Sequence, residues 1–213
     1  QGNFLSYFGN SFIIAMSTTV ISIVLGSLAA YGLAIMKSNW GNRISTFLLF
    51  SKLVPTITIM IPLYIILDKV HLLGTYVGPI LAHVSVNAPF VAWLVLGFIR
   101  DIPGDLFEAG KLDGCTRMQV FWKIVFPLLS PAIGSALLLV MQYSWNELLF
   151  SMQYTNLHTY TLTVGVSRFV GAISVDWGQS SAAATIVMVP IIIAGFFLQK
   201  YLVSGLTAGA VKG

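Results

Sequence analysis

The sequence predicts an all-α polytopic membrane protein, a bundle of five transmembrane helices with a structured cytoplasmic loop. Three observations carry that prediction. Charged residues are 8% of the 213 and apolar residues 57%, against about 25% charged in a soluble domain, and the mean hydropathy is +0.88. Five runs are apolar enough to cross a bilayer, which takes about 20 residues in a helix. Basic residues gather beside alternate ends of those runs, the pattern that orients membrane helices.

The runs are residues 10–36, 44–67, 77–99, 128–150 and 182–203. Hydrocarbon offers no hydrogen-bond partner, so each backbone must satisfy itself, and each run is expected to be helical despite its Val and Ile content. Pro55, Pro62, Pro89, Pro131 and Pro190 fall within the runs and predict kinks. Lys37, Arg43, Arg100, Lys111, Arg117, Lys123, Lys200 and Lys212 fall on one side of the membrane. Lys69 and Arg168 fall on the other, with Lys52 inside a run. The richer side is cytoplasmic by the positive-inside rule. Residue 1 and the connection 151–181 are then external, and the loop 100–127 and the tail 204–213 cytoplasmic. The chain reads as one transmembrane domain over 1–213. An odd number of crossings and an external start at Gln1 imply a sixth helix upstream.

Several function classes fall away. A pI near 9.3 would suit nucleic acid if the cations formed a stripe, but they flank membrane runs instead. Cys115 is the sole cysteine, which excludes an internal disulfide and a CxxC metal or redox centre. HExxH, GxxxxGK[ST] and GxSxG are absent, which argues against a membrane enzyme. Ion-driven transporters tend to bury carboxylates at mid-bilayer, and no Asp or Glu stands at the centre of a run.

The stretch 105–127, DLFEAGKLDGCTRMQVFWKIVFP, is more built than a connection needs to be. Asp105 with Glu108 predicts a capping box opening a helix from Leu106 to about Asp113, stopped by Gly114 in the left-handed conformation. Thr116 with Gln119 predicts a second box and a second helix. Met118, Phe121, Trp122 and Val125 fall on one apolar face of it, and Pro127 is expected to end it. Ala109 and Gly110 leave the first helix thin enough for another backbone to approach. Four cations (Arg100, Lys111, Arg117, Lys123) balance four acids (Asp101, Asp105, Glu108, Asp113), which suits a protein groove better than anionic lipid. On the residues alone two readings stand, a docking element or a capped connecting turn.

Polar side chains inside the runs are costly and are functional candidates by default. Lys52 is expected to snorkel to the cytoplasmic end and Glu147 to sit in the hydrated outer rim. His83 reads as a hydrogen-bonded helix contact rather than a proton relay. Asn87, Gln142 and Asn146 suit hydroxyl recognition along a solute path, and equally suit interhelical bonds.

With Glu108, Ala109, Gly110, Gly114, Ile124 and Pro127, the loop resembles the EAA signature of binding-protein-dependent ABC importer permeases. It departs at Gly110, where the family usually has a second Ala, and at Phe126, where it usually has Leu. The first departure weakens the helix by up to about 1 kcal/mol. The end, YLVSGLTAGAVKG, resembles the tail of maltose-type sugar permeases, in the subunit without the large external domain. WNELLF at 145–150 and YTLTVG at 160–165 are similar to the same branch, and the likeness covers essentially the whole chain.

The resemblance implies a prokaryotic cell-membrane permease subunit, not itself an enzyme, forming half the path of an ATP-driven sugar or oligosaccharide importer. It implies a second homologous permease, a cytoplasmic ATPase dimer and an external or periplasmic sugar-binding protein as partners. ATP and Mg would sit on the ATPase, with no cofactor or metal in this chain. Glu108, Ala109, Gly110, Gly114, Ile124 and Pro127 become the ATPase-coupling residues, Glu108 either capping its own helix or meeting a basic partner residue. Gly205, Leu206, Thr207 and Gly209 become a tail contact with the ATPase, against the reading of a frayed terminus. The connection 151–181 becomes the loop that probes the binding protein. In the maltose-type system the partner permease holds the sugar. A permease for phosphate, amino acids or metal would share the loop and lose the tail.

Overall fold

The computed structural model describes residues 4–36, 40–168 and 177–207, and among them the chain forms helices and turns with no strand. In chain order the helices are α1 (Phe4–Ala34), α2 (Trp40–Ser51), α3 (Thr56–Lys69), α4 (Val77–Arg100), α5 (Gly104–Leu112) and α6 (Arg117–Val120). A π-helical turn, Phe121–Val125, leads into α7 (Phe126–Leu128), α8 (Ser130–Asn146), α9 (Leu149–Tyr154), α10 (Leu162–Ser167) and α11 (Trp177–Thr207). Among the described residues, three helical stretches are each long and apolar enough to cross a membrane: Phe4–Ala34, Val77–Arg100 and Ser180–Phe197. The number is five if the bent pairs Trp40–Ser51 with Thr56–Lys69, and Arg117–Leu128 with Ser130–Asn146, each make one span.

Proline explains where the apolar runs break. The expected helix 44–67 is interrupted between Ser51 and Thr56. Pro55 has φ −58° and occupies the cap of α3, because its fixed φ suits a helix start while its ring keeps the preceding residue out of the helix. Pro131 is likewise the second residue of α8. Pro62, Pro89 and Pro190 are accommodated inside α3, α4 and α11. The run expected over 128–150 begins after a 77° bend and stops at Asn146. The expected connection 151–181 contains most of α9, all of α10 and the first residues of α11. Lys52 does not snorkel from a helix interior. It follows the end of α2, with its ammonium 4.9 Å from the centre of the Phe90 ring.

Contacts gather the chain into two compact units. The first comprises Gln1–Val20, Val54–Ser85 and Leu138–Phe197. One cluster in its core comprises Tyr7, Ala15, Trp145 and Leu162, with Phe8 edge-on to Trp145 at 5.5 Å. The second comprises Ile21–Leu53, Val86–Leu137 and Leu198–Gly213. There α1 and α4 meet at Gly26, where a Cβ would lie 2.6 Å from that of Val91. Small residues permit this backbone approach where packing, rather than water exclusion, holds helices together. Large apolar side chains such as Leu25, Phe47, Ile57, Ile61 and Phe196 are exposed, as lipid-facing surfaces require.

Candidate functional site

The loop 101–129 lies wholly in the second unit. Its first helix opens earlier than expected. Pro103, at φ −54°, is the cap residue and makes no side-chain cap bond, so Asp105 already stands in the first helical turn. The expected Asp105–Glu108 capping box is not formed. Asp105 instead contributes a negative charge close to the positive end of the helix dipole, and the exposed Glu108 carboxylate is left available. The helix ends as expected. Gly114 has φ +76°, its amide donates to the Lys111 carbonyl at 3.0 Å, and the Cys115 amide donates to the Gly110 carbonyl at 2.9 Å. Together these form a Schellman motif.

The second helix opens with the expected box. The Gln119 amide donates to Thr116 Oγ1 at 3.3 Å, and the Thr116 amide donates to Gln119 Oε1 at 2.8 Å. Pro127 does not end this helix. The Phe126 amide donates to the Phe121 carbonyl five residues back, widening the coil ahead of a proline whose ring would otherwise strike the preceding turn. The break comes at Leu129. Only half of the expected apolar face is buried: Phe121 and Val125 turn inward, while Met118 and Trp122 are exposed.

Gly110 is buried, and what approaches it belongs to this chain. A Cβ there would lie 2.7 Å from Ile124 Cδ1 and 3.1 Å from Val120 Cγ2. The thin point of α5 therefore seats the loop's own second helix. Asp105, Glu108, Ala109, Lys111 and Leu112 of α5 are exposed, Leu112 at 88%. Sequence reasoning missed Tyr31. Its ring stacks at 6.4 Å on Phe107 and meets Phe121 at 5.2 Å, and its hydroxyl donates to the Arg117 carbonyl at 3.0 Å. Arg100, at the end of α4, donates to Asn42 Oδ1 at 2.6 Å. No periodicity in the sequence pairs residues so far apart.

The first unit holds a second polar centre. Glu147 is not in a hydrated rim: it is 8% exposed and lies 3.1 Å from His83 Nε2. Its carboxylate accepts from the Phe150 and Ser151 amides at 2.9 and 3.0 Å, which satisfies the first turn of α9. On its other side the His83 ring lies with Nδ1 2.7 Å from Ser144 Oγ. His83 is thus a hydrogen-bonded helix contact. Tyr154, at the end of α9, donates to the Met60 carbonyl at 2.6 Å. Burial, then the charge of Glu147, push its hydroxyl up to about 12, so it remains a donor.

Nearby, Gln142 and Asn146 line an open groove of about 370 Å³ with Leu139, Tyr143 and Glu147. Asn87 is buried in the other unit and does not line that groove. The segment after α9 is pinned to α1: Asn10 Nδ2 donates to the His158 and Tyr160 carbonyls at 2.9 and 3.0 Å, and the Leu162 amide donates to Ser11 Oγ at 2.8 Å. Gly205, Leu206 and Thr207 belong to the last turn of α11, while Gly209 lies outside the described residues.

The sequence matches, over residues 22–208, the family described as binding-protein-dependent transport system inner membrane component. Among its relatives, the trehalose/maltose transport system permease protein MalG of Thermococcus litoralis is 34% identical over 213 residues, covering 99% of this chain and 77% of that protein. The trehalose transport system permease protein SugB of Mycobacterium tuberculosis is 34% identical over 207 residues, covering 96% and 76%. A chain of a bacterial ABC transporter involved in the import of the acidic polysaccharide alginate has a similar fold, with TM-score 0.76 at 21% identity over 93% of this chain and 75% of that one. The fold is also similar to that of a chain of the MetNI methionine ABC transporter, with TM-score 0.67 at 17% identity over 95% and 94%. On the extent of the sequence match and the agreement of fold, this chain belongs to the binding-protein-dependent transport system inner membrane component family and is a multi-pass membrane protein.

Proposed function

We propose that the chain is one permease subunit of an ATP-driven carbohydrate importer, and that the loop 101–129 carries force into it from a cytoplasmic ATPase dimer. The observation that carries the reading is how the loop is braced. The end of α5 and the start of α6 are closed by hydrogen bonds, α5 is seated on Ile124 through Gly110, and Tyr31 bolts both helices to the end of α1. A coupling element must favour one permease state over another, typically by about 1–3 kcal/mol, and a loop that yielded would dissipate that difference. The exposed Glu108, Ala109 and Leu112 would meet the ATPase, while Gly110, Gly114, Ile124 and Pro127 hold the shape. Carbohydrate rests on the relatives, since the fold is shared with a methionine transporter. Gln142 and Asn146 would offer amides to sugar hydroxyls passing along the groove they line.

In this reading the loop and Thr207 are cytoplasmic and the amino end external, following the bias of basic residues. A second homologous permease completes the path, an external or periplasmic binding protein delivers the sugar, and ATP and Mg bind the ATPase. The decisive experiment is purification of the protein with its native associates, followed by reconstitution in liposomes. Recovery of an ATPase and ATP-dependent sugar uptake are expected. Accumulation driven by this chain alone, with no motor protein present, would overturn the reading.

A further inference from the structure

The charges of the loop balance in number but not in space. A cavity of about 450 Å³ lies between α5 and the ends of α1 and α4, and Arg100, Lys111 and Arg117 line it against a single acid, Glu108. The other acids, Asp101, Asp105 and Asp113, and the remaining cation, Lys123, do not line it. Among the described residues, Glu108 makes no ion pair with the three cations. Arg100 gives one donor to Asn42 and keeps others, since a guanidinium carries several. The rest of the lining includes the apolar side chains of Ile35, Ile102 and Phe107.

A half-open chamber lined by three cations and by hydrocarbon, at the ends of two membrane-length helices, is matched by a ligand with an anionic head and an apolar body. We propose that this cavity binds a phosphate ester at the membrane surface, the headgroup of an anionic phospholipid, with Arg100, Lys111 and Arg117 holding the phosphate and Ile35, Ile102 and Phe107 covering the adjoining glycerol and acyl carbons. Arg is suited to this by its fork of donors, and Lys acts beside it as a point charge. The loop's charges cancel in sum, while the fold places three of its cations around one cavity. The site stands independently of the importer reading, because it concerns binding and not transport.

The test is native mass spectrometry of the full-length protein, released with its associated subunits from nanodiscs containing phosphatidylglycerol or phosphatidylcholine. Wild type is expected to retain phosphatidylglycerol in preference to phosphatidylcholine. The double variant K111Q/R117Q changes two exposed side chains and is expected to lose affinity about fivefold for each cation removed, while K123Q retains the lipid. A second arm titrates glycerol 3-phosphate into protein held in phosphatidylcholine nanodiscs. Its binding, lost in K111Q/R117Q, in the absence of phosphatidylglycerol retention would keep the phosphate-ester site and identify a soluble ligand. Equal retention of both lipids without glycerol 3-phosphate binding, or retention unchanged in K111Q/R117Q, would overturn the proposal.

Discussion

The Tyr31 hydroxyl donates to the Arg117 carbonyl at 3.0 Å across 86 residues of sequence, joining a membrane-length helix to the start of the loop's second helix. Tyr31→Phe keeps the stack on Phe107 and removes the bond, which costs about 1 kcal/mol. Tyr31→Ala removes both and costs about 3 kcal/mol, as for other buried aromatics. Reconstituted complexes should show ATP hydrolysis retained and uptake per ATP reduced, more in Tyr31→Ala than in Tyr31→Phe. Unchanged stoichiometry in Tyr31→Ala would remove Tyr31 from the coupling path.

Gly110 and Ile124 form a knob and socket within the loop. Gly110→Val places carbon where Ile124 Cδ1 stands and should destabilise the loop by about 1–3 kcal/mol. Hydrogen exchange over 104–125 should quicken. Adding Ile124→Ala should restore part of the protection, since the two changes act on one space. Additive losses in the double variant would show that the contact is not what limits the site.

Gly114 turns the chain at φ +76° with open space around its α-carbon, so the constraint there is conformational rather than steric crowding. Gly114→Asn, which tolerates the left-handed region, should assemble nearly as well as wild type. Gly114→Val should lose about 1–2 kcal/mol and recover less ATPase on co-purification. Equal recovery by both variants would break the link between this turn and docking.

Glu147 closes α9 and pairs with His83. Glu147→Ala leaves two amides and a histidine without their acceptor, at about 1–3 kcal/mol for each orphaned group. Glu147→Gln keeps an acceptor for the amides and should lose less. Thermal unfolding in detergent should rank wild type above Glu147→Gln and Glu147→Ala last. A melting temperature unmoved by Glu147→Ala would mean that water replaces the carboxylate.

Cys115 is the sole cysteine and is partly exposed beside the turn at Gly114. A membrane-impermeant maleimide should label it in inside-out vesicles and not in intact cells. Labelling of intact cells would reverse the proposed orientation.

The membrane class and the loop's built character were legible in the sequence because they depend on short-range rules. Composition reports the solvent, the spacing of Thr116 and Gln119 writes a capping box, and Gly114 answers a backbone demand that few other residues meet. The Asp105–Glu108 box failed because Pro103 started the helix earlier, a competition between neighbouring start signals that residue pattern alone does not rank. Glu147 was misplaced because distance along a helix says nothing about what packs over its end.

What the residues determined unaided was that this chain lives in hydrocarbon and carries a turn-and-helix peg between two apolar runs, since both follow from local chemistry. Folding alone decided that Gly110 seats Ile124, that Tyr31 clamps the peg, and that three cations share one chamber with a single acid. Those relationships depend on which elements pack together, and no periodicity encodes which side chain will fill a given space.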